Sequence, residues 1–453
     1  MTALYTTVKS SLAIGLCALA AGCTTAPTRV DYQDQTQSLV QALAPWSSQA
    51  TEQANLPLTS LVGSSELTQL VEQALLASPS IEAQRLALAQ SVLATDIAAS
   101  ANRPSVSASG SVSEEKGSDT SLSAKLDVSW QLDIWQSLAD EVSLSELSAV
   151  NQQLALQGLK DSYVAQVMQE WLTIKLSQQG LATQVAINEN LNKTLALVDQ
   201  QFALGSAELS DLNTARLDLA SSHVDVEVAR TELNQAINQM RALLGNNSYQ
   251  PSPSADLPYA AALTAQLNGQ NLGRRPDLQQ AFLSIQQAQL SSDIAYKAML
   301  PTLDLGAALT SSGDSVSSLL SASPVWSLLA QLSAPLYQSG ALEKEAESAD
   351  LAIEIAYAEY KDTLWTAVTE VNDALEQERS LNQQINQTEQ IIALSQQTFD
   401  QTERNYQAGA ATLEDYLDAQ RTLLELNSQL NSLTHQTLQN RISLGLALGL
   451  GAY

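Results

Sequence analysis

Two aspartates near the C-terminal end of the chain stand three residues apart, a spacing that could bind cations. Asp415 and Asp418 fall on the same face if their segment is a helix. Like charges held close together raise one another's pKa values and attract cations. The competing interpretation is that both are ordinary charges that keep a helix soluble, and the spacing alone favours it. The position of the pair in the fold must decide between the two.

The other residues that could carry chemistry are better explained as structural. His223 and His435 have no cysteine or paired metal spacing nearby, so we interpret them as solvated histidines on helix surfaces. Arg274, Arg275 and Asp277 could be taken for a catalytic cluster, but an aspartate in the first turn of a helix is favoured by the helix dipole, and the arginines can brace neighbouring helices. No Gly-x-Ser-x-Gly motif stands out in an α/β context. We therefore expect no catalytic residue, no metal and no cofactor.

The composition argues against nucleic-acid binding and for long helices. The chain has 48 acidic and 21 basic residues, a net charge of −27, whereas nucleic acids require a clustered basic surface. Only 15% of the residues are charged and 5% are aromatic. Such a composition is typical of long helices rather than of a compact α/β enzyme.

A duplicated turn organises the chain. The segment 202–211, FALGSAELSD, returns as 406–415, YQAGAATLED, at a constant offset of 204 residues. In each copy a glycine separates two apolar-periodic segments, which predicts a turn with positive φ at the tip of a helical hairpin. The two predicted tips consist of Leu204, Gly205, Ser206, Ala207, Ala408, Gly409, Ala410 and Ala411.

The segments that flank the tips predict very long helices. A seven-residue spacing typical of coiled coils runs through the first of them, at Val167, Ile174, Leu181, Leu195 and Phe202, with Asn188 at the missing step. The predicted helix 137–203 would be about 100 Å long. A return helix and a shorter helix that begins at Pro79 add up to nearly the same length. We therefore expect two short helices stacked end to end beside each long one.

Alternating residues predict strands before each long helix. From Leu122 to Leu132 the even-numbered residues, Trp130 among them, are apolar and the odd-numbered ones are polar. An apolar face that ends in aromatic residues is typical of a lipid-facing strand in a transmembrane barrel. After the N-terminal segment, no apolar run reaches the roughly 20 residues of a membrane helix. Four strands cannot close a barrel, which needs about eight, so we expect an oligomer.

The N-terminal segment predicts export and lipidation. Residues 1–22 are typical of a lipoprotein signal, and Cys23 would then be acylated; cleavage of a plain secretory signal near Ala21 is the alternative. Pro27, Pro45 and Pro57 favour an extended arm over 23–63.

In chain order we predict a first repeat at 64–250 (strands 105–112 and 121–133, long helix 137–203, return helix 208–245), a linker at 251–263, and a second repeat at 264–453 (strands 302–309 and 325–334, long helix 340–407, return helix 412–448).

At this point the chain resembles a known family. The residues that carry the resemblance are the run 274–278 (RRPDL), the run 295–305 (AYKAMLPTLDL), and the tip residues Tyr406, Gly409, Asp415, Leu417, Asp418, Ala419 and Gln420. Together they resemble the outer-membrane efflux proteins of the TolC family, in the lipoprotein branch that serves resistance-nodulation-division (RND) pumps. The resemblance covers essentially all of the chain after Cys23.

The resemblance implies a mainly α protein with a transmembrane β-barrel portion. Each half would supply a strand pair and a long helical hairpin, and a homotrimer would form a twelve-stranded barrel and a twelve-helix periplasmic tunnel. It also implies that Asp415 and Asp418 narrow the periplasmic entrance and that Tyr406 and Asp211 belong to a polar latch. One family member has an arginine in this latch where the present chain has Ala411. Implied partners are a periplasmic adaptor on the tips, an inner-membrane RND transporter and outer-membrane lipid.

Three functions remain open at this stage. The leading hypothesis is a passive duct that carries small toxic compounds out of the cell. A variant is a duct for secreted protein or peptide, since cargo would be selected by the pump. A different class is a coiled-coil envelope lipoprotein that transports nothing, but such a scaffold would not need the alternation at 122–132 and 303–309.

Overall fold

A computed structural model describes residues 31–43, 57–114, 116, 120–253 and 269–451. The predicted signal segment 1–22, the predicted lipidation site Cys23 and most of the predicted linker 251–263 lie outside these ranges. The helices are α1 (Tyr32–Gln41), α2 (Ser65–Ala77), α3 (Pro79–Ala101), α4 (Ser137–Ala203), α5 (Leu209–Leu244), α6 (Pro276–Lys297), α7 (Val316–Ser321), α8 (Ala341–Gln407) and α9 (Leu413–Ala447). The strands are β1 (Ser105–Ser113), β2 (Ser121–Leu132), β3 (Thr302–Gly313) and β4 (Val325–Ser333). We call α4 with α5 the first hairpin and α8 with α9 the second hairpin.

The chain divides into two compact units. One contains Leu86–Leu154, Gln280–Lys361 and the described residues before Leu39, and it holds the four strands. The other contains the described parts of Leu39–Arg85, Ala155–Gln279 and Asp362–Tyr453, and it holds both hairpin tips. No helix within the described ranges is long and apolar enough to cross a membrane.

The strands form one antiparallel sheet in the order β1-β2-β3-β4. Its register sets Ala108 opposite Leu126, Leu126 opposite Leu309, and Leu309 opposite Trp326. Because side chains alternate between the two faces of a strand, this register brings most apolar positions of the four strands to a single face; Val325 and Leu329 of β4 lie on the other. The predicted alternation is confirmed, and β2–β3 pairing joins the strand pairs of the two repeats.

The opposite face of the sheet carries polar side chains. The hydroxyls of Ser105 and Ser129 lie 2.7 Å apart, and Lys125 Nζ lies 2.5 Å from Asp127 Oδ1. Within the described chain β1 pairs with β2 alone and β4 with β3 alone. The sheet therefore has one mostly apolar face, one mostly polar face and two unpaired edges.

The region 310–324 differs from the sequence prediction in two ways. The third strand was expected to end at Leu309 and to be followed by a loop at 310–324, but β3 continues to Gly313. The alternation stops at Leu309 because Thr310 and the small residues after it have no apolar side chains to show it, yet they still pair with β2. The predicted loop also contains α7, which begins where the Ser315 hydroxyl accepts a hydrogen bond from the Ser318 backbone N–H at 3.3 Å.

The extended arm predicted over 23–63 is wrong for the part that is described. Helix α1 begins after Asp31, whose Oδ1 accepts hydrogen bonds from the backbone N–H groups of Gln33 and Asp34 at 2.9 and 3.1 Å. The ring of Tyr32 packs against that of Tyr357, with centroids 4.9 Å apart. A short 3-10 turn, Leu58–Leu61, buries both of its leucines. The prediction rested on the prolines, whereas the cap at Asp31 and the packing of Tyr32 against Tyr357 determine the observed structure.

The predicted end-to-end stacking of short helices is confirmed within the second unit. A Cβ placed on Gly245, which ends α5, would lie 3.3 Å from Cβ of Ala77, two residues before α3 begins. A Cβ placed on Gly449 would lie 3.2 Å from the backbone nitrogen of Arg275, directly before α6 begins. The same junction therefore occurs twice, once in each repeat.

Candidate functional site: the hairpin tips

Both tips are built on the same backbone turn. Gly205 and Gly409 have φ of 76° and 75°, in the left-handed region that favours glycine. In the first tip the N–H groups of Gly205 and Ser206 donate to the carbonyls of Phe202 and Gln201 at 3.0 and 2.9 Å. In the second tip Gly409 and Ala410 make the equivalent bonds at 3.0 and 2.7 Å. The predicted C-cap turns are confirmed.

The tips present a surface of small residues. A Cβ added to Gly205 or Gly409 would meet no atom within 4 Å in the described chain. Leu204, 76% exposed, is the largest side chain of the first tip. The second tip has only alanines around its glycine: Ala408 and Ala410 are exposed and Ala411 is half-buried. Such a turn can meet a partner backbone at close range.

Asp415, predicted to narrow the entrance, and Asp211, predicted to belong to the latch, each cap a return helix. The backbone N–H of Thr412 donates to Asp415 Oδ2 at 2.9 Å, the Thr412 hydroxyl donates to the same oxygen at 2.6 Å, and the Asp415 N–H donates back to that hydroxyl at 3.1 Å. In the first hairpin the Glu208 N–H donates to Asp211 Oδ2 at 2.9 Å. Both aspartates therefore have a structural role in starting a helix.

The pKa of Asp415 moves against the expectation drawn from its spacing. The hydrogen bonds from the Thr412 hydroxyl and backbone N–H hold the pKa of Asp415 below its usual range. Asp418 does not contact Asp415; it pairs instead with Arg421, at 3.1 Å between Oδ1 and the guanidinium nitrogen. Among the described residues no cluster of three or more His, Cys, Asp or Glu could hold a metal. One chain alone thus supplies two separately partnered carboxylates.

The structure does not bring Tyr406 and Asp211 together. No hydrogen bond connects their side chains in the described chain. Asp211 instead accepts a hydrogen bond from the backbone N–H of Glu208. The ring of Tyr406 instead stacks on Tyr416, with centroids 5.6 Å apart and planes 21° apart. Tyr416 in turn lies 5.3 Å from Phe399. Within one chain this aromatic stack holds the end of α8 against α9, and the polar latch stays a prediction.

Sequence reasoning missed Asn190, a buried polar residue on α4. It is 3% exposed, and its side-chain amide donates to the Leu417 carbonyl at 3.1 Å and to Gln420 Oε1 at 2.8 Å. It therefore ties the first hairpin to the second. Asn190 does not fall on the seven-residue spacing that passes through Asn188, and its partners lie far away in the chain, so the local sequence carries no signal for it.

The Arg275 cluster is structural, as predicted. Its guanidinium contacts both Asp277 oxygens at 3.1 and 2.7 Å, Glu370 at 2.6 Å and the Ala447 carbonyl at 3.0 Å. Burial alone would raise the pKa of the Asp277 carboxyl, but the hydrogen bonds and charge of Arg275 outweigh it and lower that pKa. The cluster joins the start of α6 to α8 and α9.

The two histidines differ from each other. His223 is exposed, as expected. His435 is 6% exposed, so its predicted position on a solvated surface is wrong. Burial lowers the pKa of His435, and its Nε2 has no hydrogen-bond partner in the described chain. Leu438 and Ile442, three and seven residues further along the same face of α9, are also buried, which accounts for its burial.

Comparison with known proteins shows which proteins this chain is similar to. The family model "Outer membrane efflux protein" matches residues 70–246 and 267–450. The cation efflux system protein CusC of Escherichia coli K12 is 26% identical over 347 residues, 76% of each chain. The pyoverdine export outer membrane protein OpmQ of Pseudomonas aeruginosa is 26% identical across 98% of this chain and 97% of its own. The probable outer membrane lipoprotein SilC of Salmonella typhimurium is 25% identical over 76% of this chain and 75% of its own.

Solved structures share the fold. A crystal structure of CusC superposes with a TM-score of 0.78 at 23% identity, covering 90% of this chain and all of that one. The CmeC outer membrane channel of Campylobacter jejuni gives a TM-score of 0.79 at 18% identity, covering 94% and 93%. The mainly helical architecture with four antiparallel strands and long helical hairpins is thus that of known channel proteins.

Proposed function

Because the chain belongs to the outer membrane efflux protein family, it is the outer-membrane channel component of an efflux system, and we propose that three copies assemble into one passive duct. The observation that carries the proposal is the sheet. It has one apolar face, one polar face and two unpaired edges, β1 and β4. Lipid does not tolerate an open sheet edge, so the edges of neighbouring copies must pair. Three copies of four strands give twelve.

Exposed apolar side chains on the helices support the same assembly. On α8, Ile355 and Trp365 are 59% and 60% exposed. On α3 and α5, Ile97 and Leu217 are 71% and 70% exposed. Exposed apolar side chains of this size on long helices are available for contacts with a partner. We assign these surfaces to the neighbouring copies of this chain, which would complete a twelve-helix tunnel.

The duct itself can be tested with the purified protein. We expect it to require detergent, to have the mass of three chains, and to form ion-conducting pores in planar bilayers. Cells that lack the gene should become more susceptible to toxic compounds. A water-soluble monomer that does not conduct would contradict the proposal.

The other parts of the pump are assigned by chemistry and by relatives. The small-residue tips would receive a periplasmic adaptor, and an inner-membrane RND transporter would supply the energy. Relatives named for cation efflux and for pyoverdine export favour small cargo over secreted protein, and they show that cargo varies between such channels. The relative named as a lipoprotein supports acylation of Cys23.

Neutralising Asp415 and Asp418 should weaken the binding of cations at the entrance of the proposed duct. In the trimer, Asp415 and Asp418 would place six carboxylates around one axis, and such a ring attracts cations. We expect Asp415→Asn/Asp418→Asn trimers to lose block by a trivalent cation such as La³⁺. Asparagine keeps an acceptor for the Thr412 N–H, so the helix cap survives. Single-channel recording provides the measurement.

Glu414→Gln is the matched control for the gate variant. It removes an exposed charge next to Asp415 but from another side of the helix. Unchanged conductance and unchanged La³⁺ block in the double variant would remove the acidic ring from the proposal. The duct would then have to close by other contacts.

A bulky residue at the second tip should prevent docking of the adaptor. Gly409→Leu has open space around it, and its positive φ costs about 1–2 kcal/mol locally, so trimers should still form. We expect efflux to be lost, together with adaptor binding in a pull-down. Gly180→Leu, also in open space but within α4, should keep both. Intact efflux in Gly409→Leu would show that the adaptor docks elsewhere.

A further inference from the structure

A single buried amide connects the two hairpins close to the predicted gate. Both side-chain N–H groups of Asn190 are used, one on the Leu417 carbonyl at 3.1 Å and one on Gln420 Oε1 at 2.8 Å. Leu417 is 2% exposed, and Asn190 3%. Leu417 and Gln420 lie on either side of Asp418 in the chain. The contact therefore sits in the same two turns of α9 as the predicted acidic ring.

A neighbouring residue makes a different connection and serves as a comparison. Asn188, two residues earlier on α4, donates to the Ser222 hydroxyl at 2.7 Å. Ser222 belongs to α5, so this bond stays inside the first hairpin. Of the two asparagines, Asn190 alone reaches the second hairpin in the described chain.

We propose that Asn190 is a clasp that holds the return helix of the second hairpin against the first hairpin, and that its release widens the periplasmic entrance. The proposal rests on the channel function given above. The two residues expected to form a latch do not join the hairpins: the Tyr406 ring stacks on Tyr416, and Asp211 accepts a hydrogen bond from the backbone N–H of Glu208. The Asn190 contact joins the two hairpins within the first two turns of α9.

The clasp favours the arrangement in which α9 lies against α4, for a physical reason. When α9 moves away from α4, two hydrogen bonds break and a buried amide loses its partners. A buried polar group without a partner is costly, so water or a new partner must reach Asn190 before the entrance can stay open. Docking of an adaptor on the tips could supply the force for that movement.

The test compares asparagine variants in purified trimers. Asn190→Ala should shift the open-to-closed ratio in single-channel recordings by about tenfold toward open, the size expected for losing two neutral hydrogen bonds. Asn188→Ala removes the same side chain two residues away and should leave that ratio unchanged. Gln420→Ala, which keeps Asn190 and its bond to the Leu417 carbonyl, should give a smaller shift in the same direction.

The outcomes separate the clasp from the channel. Gln420→Glu keeps an acceptor for the Asn190 amide and should behave like the wild type if the bond itself matters. Equal behaviour of Asn190→Ala and wild type, or equal shifts in Asn190→Ala and Asn188→Ala, would overturn the clasp. A wild-type protein that fails to conduct at all would instead overturn the proposed duct.

Discussion

Arginine at position 328 is expected to keep the protein out of the outer membrane. Leu328 is 75% exposed and lies on the apolar face of β4, opposite Ala307 of β3. An arginine on the lipid face of a membrane barrel costs about 2–4 kcal/mol near the bilayer midplane. A trimer carries three copies, so the total is about 6–12 kcal/mol per assembly. We expect little or no trimer in the outer-membrane fraction, measured by immunoblot of unheated samples.

Gln331→Arg provides the matched control. Gln331 is on the same strand, three residues away, and therefore on the opposite, polar face. Its arginine would line the lumen, so we expect normal amounts of trimer with altered ion conductance. If Leu328→Arg assembled as well as Gln331→Arg, the apolar face would not be the one that meets lipid.

The sheet shows how far alternation alone can predict a structure. The apolar positions of β2 identify both its strand character and its two faces, because side-chain direction depends only on local backbone geometry. Alternation could not give the length of β3. Thr310 pairs with Lys125 and Val325, and this pairing is decided by partner strands that lie far away in the chain. Boundaries set by partners are invisible in local sequence.

Distance along the chain explains why the hairpin tips could be predicted and the contacts of Asn190 could not. A glycine with positive φ acts within one turn, so the residues of the turn are neighbours in sequence; the capping role of Asp211 and Asp415 is equally local but was not predicted. The partners of Asn190 lie 227 and 230 residues away. His435 illustrates the converse error, since a histidine on a helix reveals nothing about which side of that helix the tertiary packing will cover.

Removing the Arg275 guanidinium should destabilise the folded protein more than removing a surface charge does. Its side chain is 10% exposed, while those of Asp277 and Glu370 are 46% and 49% exposed. Breaking a buried ion pair costs about 3–5 kcal/mol, and the solvent that reaches both carboxylates reduces this to about 2–3 kcal/mol. We expect Arg275→Met to lower the free energy of unfolding by that amount in detergent-solubilised protein, measured by chemical denaturation.

Arg379→Met provides the control, and Arg275→Lys tests the geometry. Arg379 pairs with Glu376 one turn away, and both side chains are more than 70% exposed, so its loss should cost less than about 1 kcal/mol. Lysine keeps the charge at 275 but cannot reproduce the two-pronged contact with Asp277, so it should recover only part of the stability. Equal losses in Arg275→Met and Arg379→Met would contradict a bracing role.

Acid should erase the difference between the wild type and Arg275→Met. Because the pKa of Asp277 is lowered in the folded protein, the stability contributed by its ionised form is fully present above its unfolded pKa of about 3.9 and is lost as the pH falls through the lowered value. The two proteins should therefore differ most near neutral pH and converge below about pH 4. A difference that persisted unchanged in acid would assign the stabilisation to packing of the arginine side chain and not to its charge.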